Sequence, residues 1–226
     1  SLKPQIDDAV ARVLANGQYT PGPEVEEFEE EWAKYCRARY CVAVSSGTDA
    51  LYLSMRAYRL LRPEGLWEAH VPVRTFIATA EAAIRAGMQV RFWDVVSPEP
   101  NAPGHVVVPV HLYGEPAPFG MVKGQLHKVV EDAAQAHGIP LWGDVACYSF
   151  YPTKPLGTAG QAGAVVTNDQ GLAELVRALR SHGEQGGRFR HQFLSGNYRM
   201  DELQAAILRV KLPCLDAWNA QRKQIA

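Results

Sequence analysis

The chain has 226 residues, 47% of them hydrophobic, enough to bury a substantial core as one large domain. Its 23 basic and 24 acidic side chains leave a formal charge of -1 and are spread evenly, which excludes a broad basic surface for nucleic acid or an anionic membrane. No apolar run reaches the roughly 20 residues of a membrane-spanning helix and no basic-then-apolar leader opens the chain; Cys36, Cys41, Cys147 and Cys214 have neither zinc-site spacing nor disulfide-scaffold density, so a cytoplasmic protein with reduced thiols is expected.

Two amphipathic helices open the chain. Leu2 to Ala15 places Ile6, Val10, Val13 and Leu14 on one face, and Pro23 to Tyr35 does the same with Val25, Phe28, Trp32 and Tyr35. Asn16-Gly17 and Pro21-Gly22-Pro23 punctuate them, with Pro23 placed for a first helical turn. From Tyr40 onward, short apolar runs alternate with helical patterns. Strands are expected at Tyr40 to Val44, His70 to Val73, Gln89 to Asp94, Val106 to Val110, Lys128 to Glu131, Ala146 to Phe150 and Ala162 to Thr167. Helices are expected at Thr48 to Arg59, Thr75 to Ala86, Gln170 to Ser181 and Met200 to Val210. Continuous apolar strands between helices predict an α/β fold: three layers, α/β/α, around a mostly parallel sheet. Residues 97 to 104 and 184 to 190 read as exposed loops.

Three segments could carry chemistry. At Ser45-Ser46-Gly47-Thr48-Asp49-Ala50 a strand runs into a helix through a glycine flanked by hydroxyls; the first helical amides and the Thr48 hydroxyl could hold a phosphate. Taken alone, the same residues read as an ordinary helix N-cap. In Val129-Val130-Glu131-Asp132 an apolar strand ends in two acids, at the sheet edge where α/β proteins bind ligands. Asp132 could hold a pyridine nitrogen protonated, or either acid could cap a helix after the strand. The third, Tyr148-Ser149-Phe150-Tyr151-Pro152-Thr153-Lys154-Pro155-Leu156-Gly157, places a lysine just after a buried strand among aromatic and proline residues, where desolvation would free its amine for imine formation; taken alone, it reads as a surface lysine in a loop.

Seven collinear segments give the chain a close resemblance to the DegT/DnrJ/EryC1/StrS family of sugar aminotransferases: Pro21-Gly22-Pro23-Glu24-Val25 with Phe28-Glu29, Ser46-Gly47-Thr48-Asp49-Ala50-Leu51, Thr75-Phe76-Ile77-Ala78-Thr79, Pro109-Val110-His111-Leu112-Tyr113-Gly114, Glu131 to Gly138, Ser149 to Lys154, and Gly196 to Ala206. The resemblance implies the large domain of fold-type I enzymes that depend on pyridoxal 5'-phosphate. It implies Lys154 as the catalytic Schiff-base lysine, Asp132 on the ring nitrogen, Phe76 on the ring face and Gln135 near the phenolic oxygen. For the phosphate it implies the Gly47 and Thr48 amides, the Thr48 and Ser149 hydroxyls, and Asn197 reaching across a homodimer. The implied reaction moves an amine, with L-glutamate as donor, to a keto group of a nucleotide-linked deoxysugar. Lysine rather than histidine at position 154 favours transfer over the family's dehydratase branch. No metal ligand is implied. Two alternatives stand beside it: a lyase or desulfurase of the same fold, and a shortened paralogue that binds the cofactor or a partner subunit without full catalysis. The resemblance also implies domain limits: residues 1 to 212 as the cofactor-binding domain, and 213 to 226 as the start of a helix leading towards a small C-terminal domain outside this chain. The connections at 94 to 106, 114 to 128 and 138 to 146 are short for the family, and Gln161 stands where it often has an acid.

Overall fold

A computed structural model describes residues 1–62, 67–94, 105–118 and 127–225. In chain order the elements are α1 (Lys3–Asn16), α2 (Pro23–Tyr35), β1 (Tyr40–Val44), α3 (Gly47–Leu61), β2 (Glu68–Pro72), α4 (Ile77–Arg85), β3 (Gln89–Trp93), β4 (His105–Val107), β5 (Lys128–Asp132), β6 (Val145–Ser149), β7 (Gly163–Thr167), α5 (Gln170–Arg180), α6 (Glu202–Lys211) and α7 (Leu215–Ile225). The strands form one sheet in the order β1-β7-β6-β5-β4-β2-β3. β7 runs antiparallel to both its neighbours; the remaining pairs are parallel.

The expected α/β/α layout holds because the central strands bury both faces. Every residue of β6 and β7 is buried, as continuous apolar runs predict. One apolar cluster, around Leu53, Met55, Val130, Val165 and Leu179, packs α3, α4 and α5 on one face of the sheet. Another, around Phe28, Trp32, Tyr148, Phe150 and Leu208, packs α2 and α6 on the other. In α1 only Ala9 and Val13 are buried, while Leu14 lies open.

Several boundaries differ from expectation for local reasons. α4 begins at Ile77 because Phe76 has extended backbone (φ -74°, ψ 147°) as its N-cap, leaving Thr75 and Phe76 outside the helix. β4 stops at Val107, since prolines lack the N–H a ladder needs and Pro109 comes two residues later; Val110 then pairs with Asp132 as an isolated bridge. β2 starts at Glu68, two residues early, on a strand whose polar and apolar residues alternate. The loop expected at 97 to 104 lies outside the described residues; that at 184 to 190 is a chain of turns closed by a Glu184–His191 bridge.

β1 is an edge strand whose outward backbone groups are covered by side chains. Ala43 N–H donates to Glu29 Oε1 (2.8 Å), Arg180 donates to the Ala43 carbonyl (2.9 Å), and Arg177 to the Cys41 carbonyl (2.9 Å). Both arginines also pair with Glu29, Arg180 at 2.6 Å and Arg177 at 3.3 Å. An open edge is thereby closed to further strand pairing. Among the described residues no helix is long and apolar enough to cross a membrane.

Candidate active site

The carboxyl ends of β1, β5 and β6 converge on a cavity of about 490 Å³. The sheet order puts them there: β7 comes back antiparallel between β1 and β6, so its first residue, Gly163, pairs with both Val44 and Ser149. Space at this junction is tight enough to require glycine. A Cβ on Gly163 would sit 2.3 Å from the Ser46 carbonyl carbon, and one on Gly47 would sit 2.6 Å from Ser149 Cβ.

At one end of the cavity lie Ser46, Gly47, Thr48 and Ser149. Ser46 caps α3: its hydroxyl accepts from Asp49 N–H (3.1 Å), and Asp49 Oδ2 accepts from the Ser45 and Ser46 hydroxyls, both at 2.7 Å. The cap is therefore the N-cap that residue-level reading allowed, and it leaves the Gly47 and Thr48 amides of the first turn without a partner inside the helix. Gly47 packs closely against Ser149, whose hydroxyl accepts from Tyr151 N–H at 3.4 Å. Amides at a helix start together with hydroxyls make an anion pocket.

Also in the lining, Asp132 is buried at the close of β5. Its Oδ2 accepts from Thr79 Oγ1 at 2.7 Å, and its Oδ1 from Ala134 N–H at 3.2 Å. Burial pushes this carboxyl above its ordinary range; the Thr79 and Ala134 hydrogen bonds, then the charge of Lys154, oppose that shift. Lys154 is half-buried on the loop after β6, where its amide donates to the Tyr151 carbonyl (2.9 Å). Gln135 accepts from Tyr113 N–H at 2.6 Å, tying the wall after β5 to the turn after β4. Phe76 is 71% exposed and faces the cavity; it is no core residue of α4.

Seven of the eight residues singled out in the sequence thus line one cavity: Gly47, Thr48, Phe76, Asp132, Gln135, Ser149 and Lys154. Asn197 does not. It is exposed, bridges Ser181, and accepts from Arg199 Nε at 2.9 Å. Gln161 also lines the cavity.

Two cavity features escaped the sequence reading. Thr79, fully buried, is a donor to Asp132 and is itself bonded to Thr75 Oγ1 at 2.8 Å. His111 lines the cavity and is buried against Glu131, with Nε2 and Oε2 2.8 Å apart. Its Nδ1 accepts from Ala117 N–H (3.1 Å), so the ring proton sits on Nε2 and is donated to Glu131. Glu131 Oε1 takes the Trp142 and Gly143 amides besides. Thr75 and Thr79 are four apart, a spacing that could have flagged them as a pair. His111 and Glu131 meet only through the sheet.

An anion pocket, a carboxylate, an amine and an aromatic side chain around one space fit a planar, phosphorylated, nitrogen-containing ring. Three comparisons agree with that shape. The model of the DegT/DnrJ/EryC1/StrS aminotransferase family matches residues 1–226. Erythromycin biosynthesis sensory transduction protein EryC1 of Saccharopolyspora erythraea is 41% identical over all of this chain and 66% of its own length. The dTDP-3-amino-3,4,6-trideoxy-alpha-D-glucose transaminase of Streptomyces venezuelae is 39% identical over all of this chain and 64% of its own. A crystal structure of NtdA from Bacillus subtilis with bound cofactor PMP superposes with a TM-score of 0.84 at 30% identity, covering 96% of this chain and 54% of that one. The chain spans about two thirds of the length of those curated relatives.

Proposed function

Because the chain belongs to the DegT/DnrJ/EryC1/StrS aminotransferase family, we propose that it takes part in moving an amino group from L-glutamate to a keto group of a nucleotide-linked deoxysugar, with pyridoxal 5'-phosphate as cofactor. The observation that carries this reading is the single cavity in which Lys154, Asp132, Ser149 and the Gly47-Thr48 amides meet. The name of the Streptomyces relative supports a nucleotide-sugar ketone as acceptor.

Bound in the cavity, the cofactor supplies an electron sink for the electron pair left when a proton leaves the amine-bearing carbon of the substrate. The protein's own groups divide the rest of the work. Lys154 would hold the cofactor through its amine and would move the proton at the substrate carbon. Asp132 holds a proton on the ring nitrogen, a task that needs an ionised carboxylate. The Gly47 and Thr48 amides with the Thr48 and Ser149 hydroxyls bind the phosphate. Phe76 covers the ring face and excludes water, and Gln135 orients the phenolic oxygen. Asn197 serves the phosphate of the other subunit in a cytoplasmic homodimer. Residues 1 to 212 form the cofactor-binding unit, and α7 begins the connection beyond it.

Absorbance tests the assignment. The purified protein with pyridoxal phosphate gains the visible band of the lysine-bound cofactor, L-glutamate converts it to the near-ultraviolet band of the pyridoxamine form, and Lys154→Ala shows no visible band. No band in the wild type, or the same band in Lys154→Ala, overturns the reading. A band indifferent to every amino donor selects cofactor binding without transfer.

A further inference from the structure

We propose that Thr79, oriented by Thr75, is the positioning residue that fixes Asp132 in the rotation and charge state needed to hold a proton on the cofactor ring nitrogen. This rests on the cofactor reading above.

The direction of the hydrogen bonds comes from the chemistry of the end group. A carboxylate only accepts, so Thr79 Oγ1 donates its proton to Asp132 Oδ2 across 2.7 Å. That hydroxyl then has lone pairs and no proton left, so at 2.8 Å Thr75 Oγ1 is the donor to it. The result is an ordered chain, Thr75 to Thr79 to Asp132. Thr75 lines the cavity; Thr79 is sealed from solvent. The carboxylate draws the single O–H of the buried Thr79, and the Thr75 hydroxyl fills one of the lone pairs that are left.

The remaining groups around Asp132 do not duplicate this. Ala134 N–H reaches the other oxygen, Oδ1. Lys154, on the loop after β6, acts on the carboxylate through charge, and His111, after β4, spends its Nε2 proton on Glu131. Cys147 on β6 and Glu131 beside it on β5 are the other titratable neighbours. Glu131 is occupied by His111 and two backbone amides. Thr79 therefore is the side-chain donor to Asp132, on a carboxylate whose burial works against its charge.

The test is the affinity for pyridoxal phosphate, read by absorbance titration from about pH 5 to about pH 8, in wild type, Thr79→Val, Thr79→Ser and Thr75→Val. Thr79→Val keeps the shape and deletes the donor. It is expected to bind roughly 10- to 100-fold more weakly. Its affinity also fails at a higher pH on the acid side, because Asp132 then takes a proton more readily. Thr79→Ser restores both, and Thr75→Val moves the acid limb the same way by less. Wild-type affinity and acid limb in Thr79→Val, or a Thr79→Ser as weak as Thr79→Val, overturns the inference. Should Thr79→Val fail to fold by circular dichroism, an unmoved acid limb in Thr75→Val overturns it instead. A wild type that binds no cofactor at any pH is a different outcome, which removes the functional reading itself.

Discussion

His137 shows how one buried side chain can set a pH limit for the whole fold. It lies in an aromatic box of Trp32, Tyr148 and Phe150, and its Nε2–H donates to the Ser149 carbonyl at 2.9 Å. Burial, with Lys154 and Arg222 adding like charge, pulls its pKa from the ordinary 6.5 down to about 3. In the unfolded chain the ring takes its proton near 6.5, while in the folded protein it stays neutral until about pH 3. The unfolded state thus binds more protons in that window, and stability falls as pH drops through it, by up to about 1.4 kcal/mol per unit. Above the window His137 contributes no pH dependence. Urea unfolding of wild type and His137→Gln at pH 7 and pH 5 is expected to show wild type losing about 2 kcal/mol more than the variant over that span; equal losses would contradict the account. At the same scale, the places of Asp132 and Lys154 at or after the end of an apolar strand were legible in the sequence, while their roles and Ser149 came only through the family resemblance. Thr79 was not legible, since a threonine near a helix start looks alike whether it caps, packs or donates.

Among the elements, β1 depends most on groups outside itself. Glu29 on α2 holds Ala43 N–H, Arg177 and Arg180 together at the sheet edge. Glu29→Ala would leave an amide and a largely buried guanidinium short of partners, a loss of about 2–4 kcal/mol. Chemical denaturation checks this, and a change below about 0.5 kcal/mol would show the edge to be held by packing alone. None of this clamp was readable in advance. Phe28-Glu29 was visible as part of a motif, but the arginine partners of Glu29 lie on α5, far along the chain. The buried strands β1, β6 and β7 were legible from their unbroken apolar runs. The element ends were not: β4 is cut short near Pro109, and α4 is delayed by the extended Phe76, both local backbone effects that the hydrophobic periodicity does not record.

At the scale of the molecule, Asn197 is the residue that this chain does not bring to its own cavity. It sits exposed, bonded to Arg199, on the stretch between α5 and α6. If it completes the site of a second copy, the protein sediments as a dimer, and Asn197→Ala binds pyridoxal phosphate more weakly without changing the visible band position. Refolding Lys154→Ala together with Asn197→Ala then produces mixed dimers with one intact site, and a fraction of native affinity that neither variant has alone. A monomer with full affinity, or no complementation, removes the shared site.

The antiparallel return of β7 between β1 and β6 also has a kinetic consequence. Gly47 and Gly163 are separated by more than a hundred residues, yet a Cβ on Gly163 would run into Ser46 and Gly47, and one on Gly47 into Ser149. The anion pocket is therefore a long-range product, and closing so large a loop is slow compared with forming the helices around it. A chain emerging from the ribosome has its first hydroxyl-glycine turn long before the strand that walls it in. If the pocket holds the cofactor's phosphate as proposed, capture of the cofactor waits until β7 has taken its place between β1 and β6.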